Sequence, residues 1–127
     1  MIQTYFTQIK TVADEYAVTD FVSETGVRFE TRGGGQGYLK GTVAFGDGSV
    51  LHFSEYLDQT GNTVEKVMYT YHYQDAAKQM IFRYDNSQHR PLLPHPDHKH
   101  TPDRVFCTLT PTLEDVLYEI VIIKGWI

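Results

Sequence analysis

The chain has 127 residues, 41% of them hydrophobic and 21% charged, with a formal net charge of −5. That is room for a single domain over residues 1–127 with its own core, and it excludes a disordered chain, a scaffold that depends on staples and a strongly basic nucleic-acid binder. A lone cysteine, Cys107, excludes an internal disulfide. With no basic-then-apolar start over Met1–Lys10 and no apolar run longer than Ile120–Ile123, the expectation is a cytoplasmic protein with no membrane contact.

Residues 2–16 predict an amphipathic helix. Ile2, Tyr5, Phe6, Ile9, Val12, Ala13 and Tyr16 recur at the three-and-four spacing that makes one apolar stripe. From Val18 the period falls to two. Val18–Thr25, Val27–Arg32, Tyr38–Phe45, Ser49–Leu57, Thr63–Gln74 and Gln79–Asp85 read as strands. Gly26, Gly33–Gly37, Gly46–Gly48, Gln59–Asn62 and Asp75–Lys78 read as turns between them. Connections this short join antiparallel neighbours only. Asn86–Asp103 holds four prolines and four histidines and has no period, so it reads as a long loop of the kind that usually carries function. Val105–Thr110 is a candidate extra strand. A last helix begins at Thr112, with Asp115 three residues on and Gly125 as its stop. The fold class is therefore α+β: an N-terminal and a C-terminal helix on an antiparallel meander of five or six strands.

Strand parity orders the last hairpin. With a turn over Asp75–Lys78, Tyr73 faces Met80, Tyr71 faces Phe82 and Tyr69 faces Tyr84. Directly opposed residues share a face. One face then carries Tyr69, Tyr71, Tyr73, Met80, Phe82 and Tyr84 and packs on other elements. The other carries Thr70, His72, Ile81, Arg83 and Asp85. Residues 1–75 hold ten acidic and five basic side chains, whereas 76–127 hold six of each and four of the six histidines. A locally positive site on an acidic protein follows, with His72, Arg83 and Asp85 as its floor and His89, His98 and His100 folding over it.

Three chemistries compete for this set. His98 and His100, with His89, His95 and either Asp97 or Asp103, are of metal-ligand type, but their spacing matches no strong zinc pattern. Histidine pairs suit acid and base work on RNA without a metal or cofactor, with Arg83 and Lys99 neutralising phosphate charge. The third reading is a structural His/Arg/Asp network in a binding or regulatory module, with Leu92 and Leu93 as a contact patch. Gly33–Gly37 lacks the Lys and Ser/Thr of a phosphate loop, and Cys107 reads as a core residue.

Several segments carry a family resemblance: Phe45–Leu51, Ser54–Tyr56, Tyr69–Gln74, Phe82–Asn86, His89, Asp97–His100 and Pro111–Ile120. From roughly Tyr38 to Ile120 the chain resembles the TumE family of toxin–antitoxin proteins. The sequence departs from that pattern at Arg90 and Asp97, where relatives tend to carry histidine. The resemblance implies a small toxin neutralised by a cognate antitoxin, commonly a helix-turn-helix protein. By fold analogy it also implies a RelE-like layout. The expected activity is a metal-independent ribonuclease. Its candidate catalytic residues are Arg83, Asp85, His89, His98, Lys99 and His100, and its candidate substrate-binding residues are Tyr71, His72, Tyr84 and Arg90. Expected partners are the antitoxin, RNA and a second copy in a homodimer.

Overall fold

The computed structural model of the protein describes residues 1–87 and 95–127. Its elements run α1 (Ile2–Ala17), β1 (Val22–Arg32), β2 (Gln36–Phe45), β3 (Val50–Thr60), β4 (Thr63–Gln74), β5 (Met80–Asp85), β6 (His98–His100), β7 (Val105–Cys107) and α2 (Leu113–Ile123). Among the described residues the strands form one seven-stranded antiparallel sheet, each paired to the next in sequence. Both helices pack on one face of it, so the α+β expectation holds and the strand count rises to seven. The Gly26 position is not a turn: of the expected strand Val18–Thr25 only Val22–Thr25 is strand, residues 18–21 forming the turn after α1, and it runs on through Gly26, paired with Thr42, into Val27–Arg32 as the single strand β1. The segment read as loop contributes β6, and Val105–Cys107 forms β7, the last edge. Cys107 lies partly buried there, opposite His98, rather than in the core.

The core sits between helices and sheet. α1 buries Ile2, Phe6, Ile9 and Ala13, and α2 buries Leu113, Val116, Leu117, Ile120 and Val121. They meet Leu39, Val43, Leu51, Phe53, Tyr71, Tyr73 and Phe82. Each such fully buried side chain contributes about 1.5–3 kcal/mol. α2 is closed at both ends by local chemistry. Thr112 and Asp115 form a reciprocal capping box. At the other end Gly125 takes φ +69 and lets the Trp126 amide donate to the Val121 carbonyl at 2.9 Å. Trp126 then stacks on Phe21 and packs on Phe45. α1 has no side-chain cap of its own, and its Ile2 amide donates to Gln59 Oε1 at 3.1 Å instead.

Gly41 shows how tightly the core face is filled. The Phe53 ring lies over it, and a Cβ there would stand 2.5 Å from Phe53 Cζ and 2.7 Å from the backbone oxygen of Gly26. Because one neighbour is backbone, rotamer changes cannot relieve the clash. Gly41→Ala is expected to cost about 1–3 kcal/mol. Thermal unfolding checks this, and a wild-type midpoint would contradict it.

Besides the shift between Val22 and Glu24 in β1, two bulges set the register from β3 to β5. One in β4 lets Tyr56 pair with Met68 and Leu57 with Lys66. The Asn86 side chain fits there, accepting from the Tyr69 amide at 3.1 Å and donating to the Val67 carbonyl at 2.9 Å. The other lies between β4 and β5, where Tyr73 pairs with Phe82 and Gln74 with Met80. The predicted pairings therefore shift: Tyr71 faces Tyr84, not Phe82. The shift is two residues, so faces are conserved beyond the bulge. Within it Met80 and Ile81 change places, and Ile81 packs against the core.

Candidate active site

The face of the sheet turned away from the helices carries two polar rows that cross the strands. The first runs Arg28, Lys40, Ser54, Thr70, Asp85, His98 and Cys107. The second runs Thr42, His52, His72, Arg83, His100 and Val105. Strand alternation puts them on this face because Leu39, Gly41 and Val43, Leu51 and Phe53, Tyr71 and Tyr73, and Phe82 point at the helices.

At the β5–β6 end of these rows the sequence-predicted residues His72, Arg83, Asp85, His98 and His100 come together. Arg83 Nε donates to Asp85 Oδ2 at 3.0 Å, and His100 Nε2 stands 3.4 Å from Asp85 Oδ1. Asp85 is 3% exposed and His98 2%, whereas the Arg83 side chain remains 42% exposed. A buried carboxylate thus holds a guanidinium through Nε alone, and its terminal amino groups take no part in that bond. His98 and His100 lie ring to edge, with centroids 6.5 Å apart. His72 stands directly opposite Arg83. Burial, then the positive charge of Arg83 and the neighbouring His52, push its pKa below the ordinary imidazole value. Its Nδ1 is buried without a hydrogen-bond partner among the described residues. The cluster therefore offers an imidazole held neutral, an imidazole beside a carboxylate, and a part-exposed guanidinium. Those are the ingredients of proton transfer next to an anion.

Three predicted site residues lie on the other face. Lys99 alternates with His98 and His100, so it points at α2, where its Nζ donates to Glu119 Oε2 at 2.6 Å. Tyr84 donates to Glu119 Oε1 at 2.5 Å, and the two residues together clamp α2 to the sheet. Tyr71 is fully buried and donates to Glu55 Oε2 at 2.5 Å. These three do not converge with Arg83, because a sheet separates them from it. His89 and Arg90, with Leu92 and Leu93, fall outside the described residues. Asp97 accepts a hydrogen bond from Tyr69 at 2.5 Å, and His95 and Asp103 are exposed. Among the described residues no three His, Cys, Asp or Glu side chains stand close enough to hold a metal ion.

Sequence reasoning missed His52, which parity would have put beside His72 had the β4 bulge been visible. It also missed a second polar cluster beneath the helices. There Glu55, fully buried, accepts from the hydroxyls of Tyr5 and Tyr71 and stands 3.9 Å from Lys66 Nζ. Lys66 donates to the Tyr71 hydroxyl at 2.6 Å and to the Pro111 carbonyl at 2.7 Å. Desolvation pulls the Lys66 pKa down, partly opposed by Glu55, and pushes the Tyr5 and Tyr71 hydroxyls well up.

No helix among the described residues is long and apolar enough to cross a membrane. No curated protein and no solved structure matches the chain. A family profile described as toxin TumE matches residues 9–127, nearly the whole length, and takes in the Arg83–Asp85 cluster and Glu55, Lys66 and Tyr71, though not Tyr5. The chain therefore belongs to the toxin TumE family.

Proposed function

We propose that the protein is the toxin of a toxin–antitoxin pair and that it cleaves RNA without a metal at the His72–Arg83–Asp85–His100 cluster. The observation that carries this reading is the buried Asp85 carboxylate, which aligns Arg83 on one side and His100 on the other. Such cleavage moves the ribose 2′-oxygen onto phosphorus as the 5′-oxygen leaves, giving a 2′,3′-cyclic phosphate. A base takes the 2′-hydroxyl proton and an acid returns one to the leaving oxygen. His72, held neutral by burial and by Arg83, suits the base. His100, beside Asp85, suits the acid, with Asp85 orienting it. Arg83 meets the charge that builds on the phosphoryl oxygens. His98, nearly fully buried, supports the pair rather than touching substrate. The partner in this reading is a cognate antitoxin that covers or blocks the open face.

Purified protein incubated with RNA should cleave it equally well with and without a chelator, and its expression should arrest growth unless the antitoxin is supplied. No cleavage in either arm, together with unimpaired growth, would end the proposal. The pH profile gives a second check. A base works deprotonated, and the His72 pKa is lowered, so kcat/KM should rise with pH through a midpoint below 6.5. His72→Ala should remove that limb. A midpoint at or above 6.5 would assign the base elsewhere.

The burial of Asp85 and His98 favours one competing reading, a non-catalytic module in which the cluster fixes the sheet edge. In that case His100→Ala lowers the thermal midpoint strongly. In the catalytic reading it spares stability and removes turnover.

A further inference from the structure

We infer that the open face of the sheet is a track for extended single-stranded RNA, with phosphates on its two central polar rows and one unstacked base on the Tyr38–Tyr56 pair. This rests on the ribonuclease reading and extends it from the reacting atoms to the path of the substrate.

The sheet sorts its charges by row. In the two central rows Arg28, Lys40 and Arg83 are the fixed cations, joined by His52, His72 and His100. Asp85 is the acid among them, and it is buried and already paired. The acids of this face stand in the outer rows. Glu24 lies on one side, opposite Ala44. Glu30, Asp58 and Glu65 lie on the other. Arg32 stands 3.6 Å from Glu30. A protein of net charge −5 therefore presents a cationic stripe bordered by negative charge, which attracts a polyanion along one line and repels it elsewhere.

The stripe crosses the strands from β1 to β5. Four strand spacings are about 19 Å, the reach of a few nucleotides, and the Arg83–His100 cluster sits at its far end. Beside it, in the next row, Tyr38 and Tyr56 face each other with ring centroids 4.5 Å apart. Arg32 lies over both rings, at 5.2 and 5.7 Å. Tyr56 is 39% exposed, and Met68, its partner across the sheet, is 56% exposed. A cleft of about 280 Å³ opens here between Arg32, Tyr56, Asp58, Val67 and Met68. Aromatic faces displayed on an open sheet next to a cationic groove take bases only when these are unstacked. This selects a single strand over a duplex.

The test uses the intact chain and a 2′-O-methylated oligonucleotide of about twelve residues, long enough for such a site and immune to 2′-hydroxyl attack. Binding is followed by fluorescence anisotropy at several salt concentrations. Tyr56→Ala should weaken it roughly tenfold or more, as loss of a base stack does. Lys40→Gln should weaken it and flatten the salt slope by about 0.7. Lys10→Gln, on the exposed side of α1, should change nothing, and the matching duplex should bind more weakly. Wild-type binding without any cleavage of ordinary RNA would support the track and sink the catalytic reading. Cleavage with unaltered binding by Tyr56→Ala and Lys40→Gln would overturn the track and leave the catalytic reading standing.

Discussion

Lys66→Ala is expected to be the most destabilising single change in the protein, lowering its stability by about 3–5 kcal/mol, because it strands a buried charge. Glu55 has no solvent exposure, and its oxygens are held by Tyr5, Tyr71 and the cation of Lys66. Removing the ammonium leaves a carboxylate that water cannot reach and that two phenols cannot neutralise. It also releases the Pro111 carbonyl, just before the cap of α2, so the loss reaches the helix. The urea midpoint should fall with little change in slope. The double variant Glu55→Leu, Lys66→Met should recover much of the loss, since a buried pair replaced by apolar groups is often neutral or better. A Lys66→Ala protein as stable as wild type would show that Glu55 is protonated or hydrated in solution. The tyrosines bonded to carboxylates here and beside Asp97 and Glu119 predict alkaline sensitivity. The folded state raises the Tyr5, Tyr69, Tyr71 and Tyr84 pKa values, so their contribution is present below the unfolded value of 10. As pH rises past 10 the unfolded chain loses protons that the fold retains, and stability falls. Absorbance at the tyrosinate band should therefore rise in step with unfolding.

Arg83→Gln is expected to lower single-turnover RNA cleavage by about 10²- to 10³-fold, the usual cost of removing one preorganised donor to a developing anion. The fold should tolerate it. Arg83 is part-exposed, and Asp85 keeps His100 and the Ser87 amide, the latter at 3.4 Å. Arg83→Lys should rescue only part of the rate, because an ammonium lacks the planar fork that grips two phosphate oxygens. Lys99→Gln serves as the internal contrast. Lys99 sits on the helix side with Glu119, so its loss should reach stability before it reaches turnover. Equal loss of activity in Arg83→Gln and Lys99→Gln, with no change in melting, would argue against the site.

What was legible in the sequence follows from period. The apolar stripe of α1 and the alternation of β2 to β5 mark helices and strands directly, because burial on one face leaves a visible repeat. The Thr112 capping box and Gly125 mark the ends of α2 for equally local reasons. Bulges leave no such mark. The one at Val67 shifts the β3–β4 pairing by a residue, and so hid both the Glu55 network and the alignment of His52 with His72. The one before Phe82 moved the β4–β5 pairing by two, which spared the face on which Arg83 and Asp85 lie. β6 escaped notice because three residues, two of them histidine, give no apolar alternation. Once His98–His100 is a strand, Lys99 must point away from its neighbours, and its place in a shared cluster disappears.

The order of the strands has a consequence for how the molecule comes into being. Each strand joins its predecessor in sequence, so the sheet can grow outward from β1 as the chain is made. His98 and His100 arrive with the sixth strand, and α2, which covers much of the core, follows it. A partly synthesised chain can hold most of the sheet while lacking one wall of the histidine cluster and half of its helical cover. The histidine cluster can therefore close only after the first five strands are in place, which makes its assembly a late step in folding.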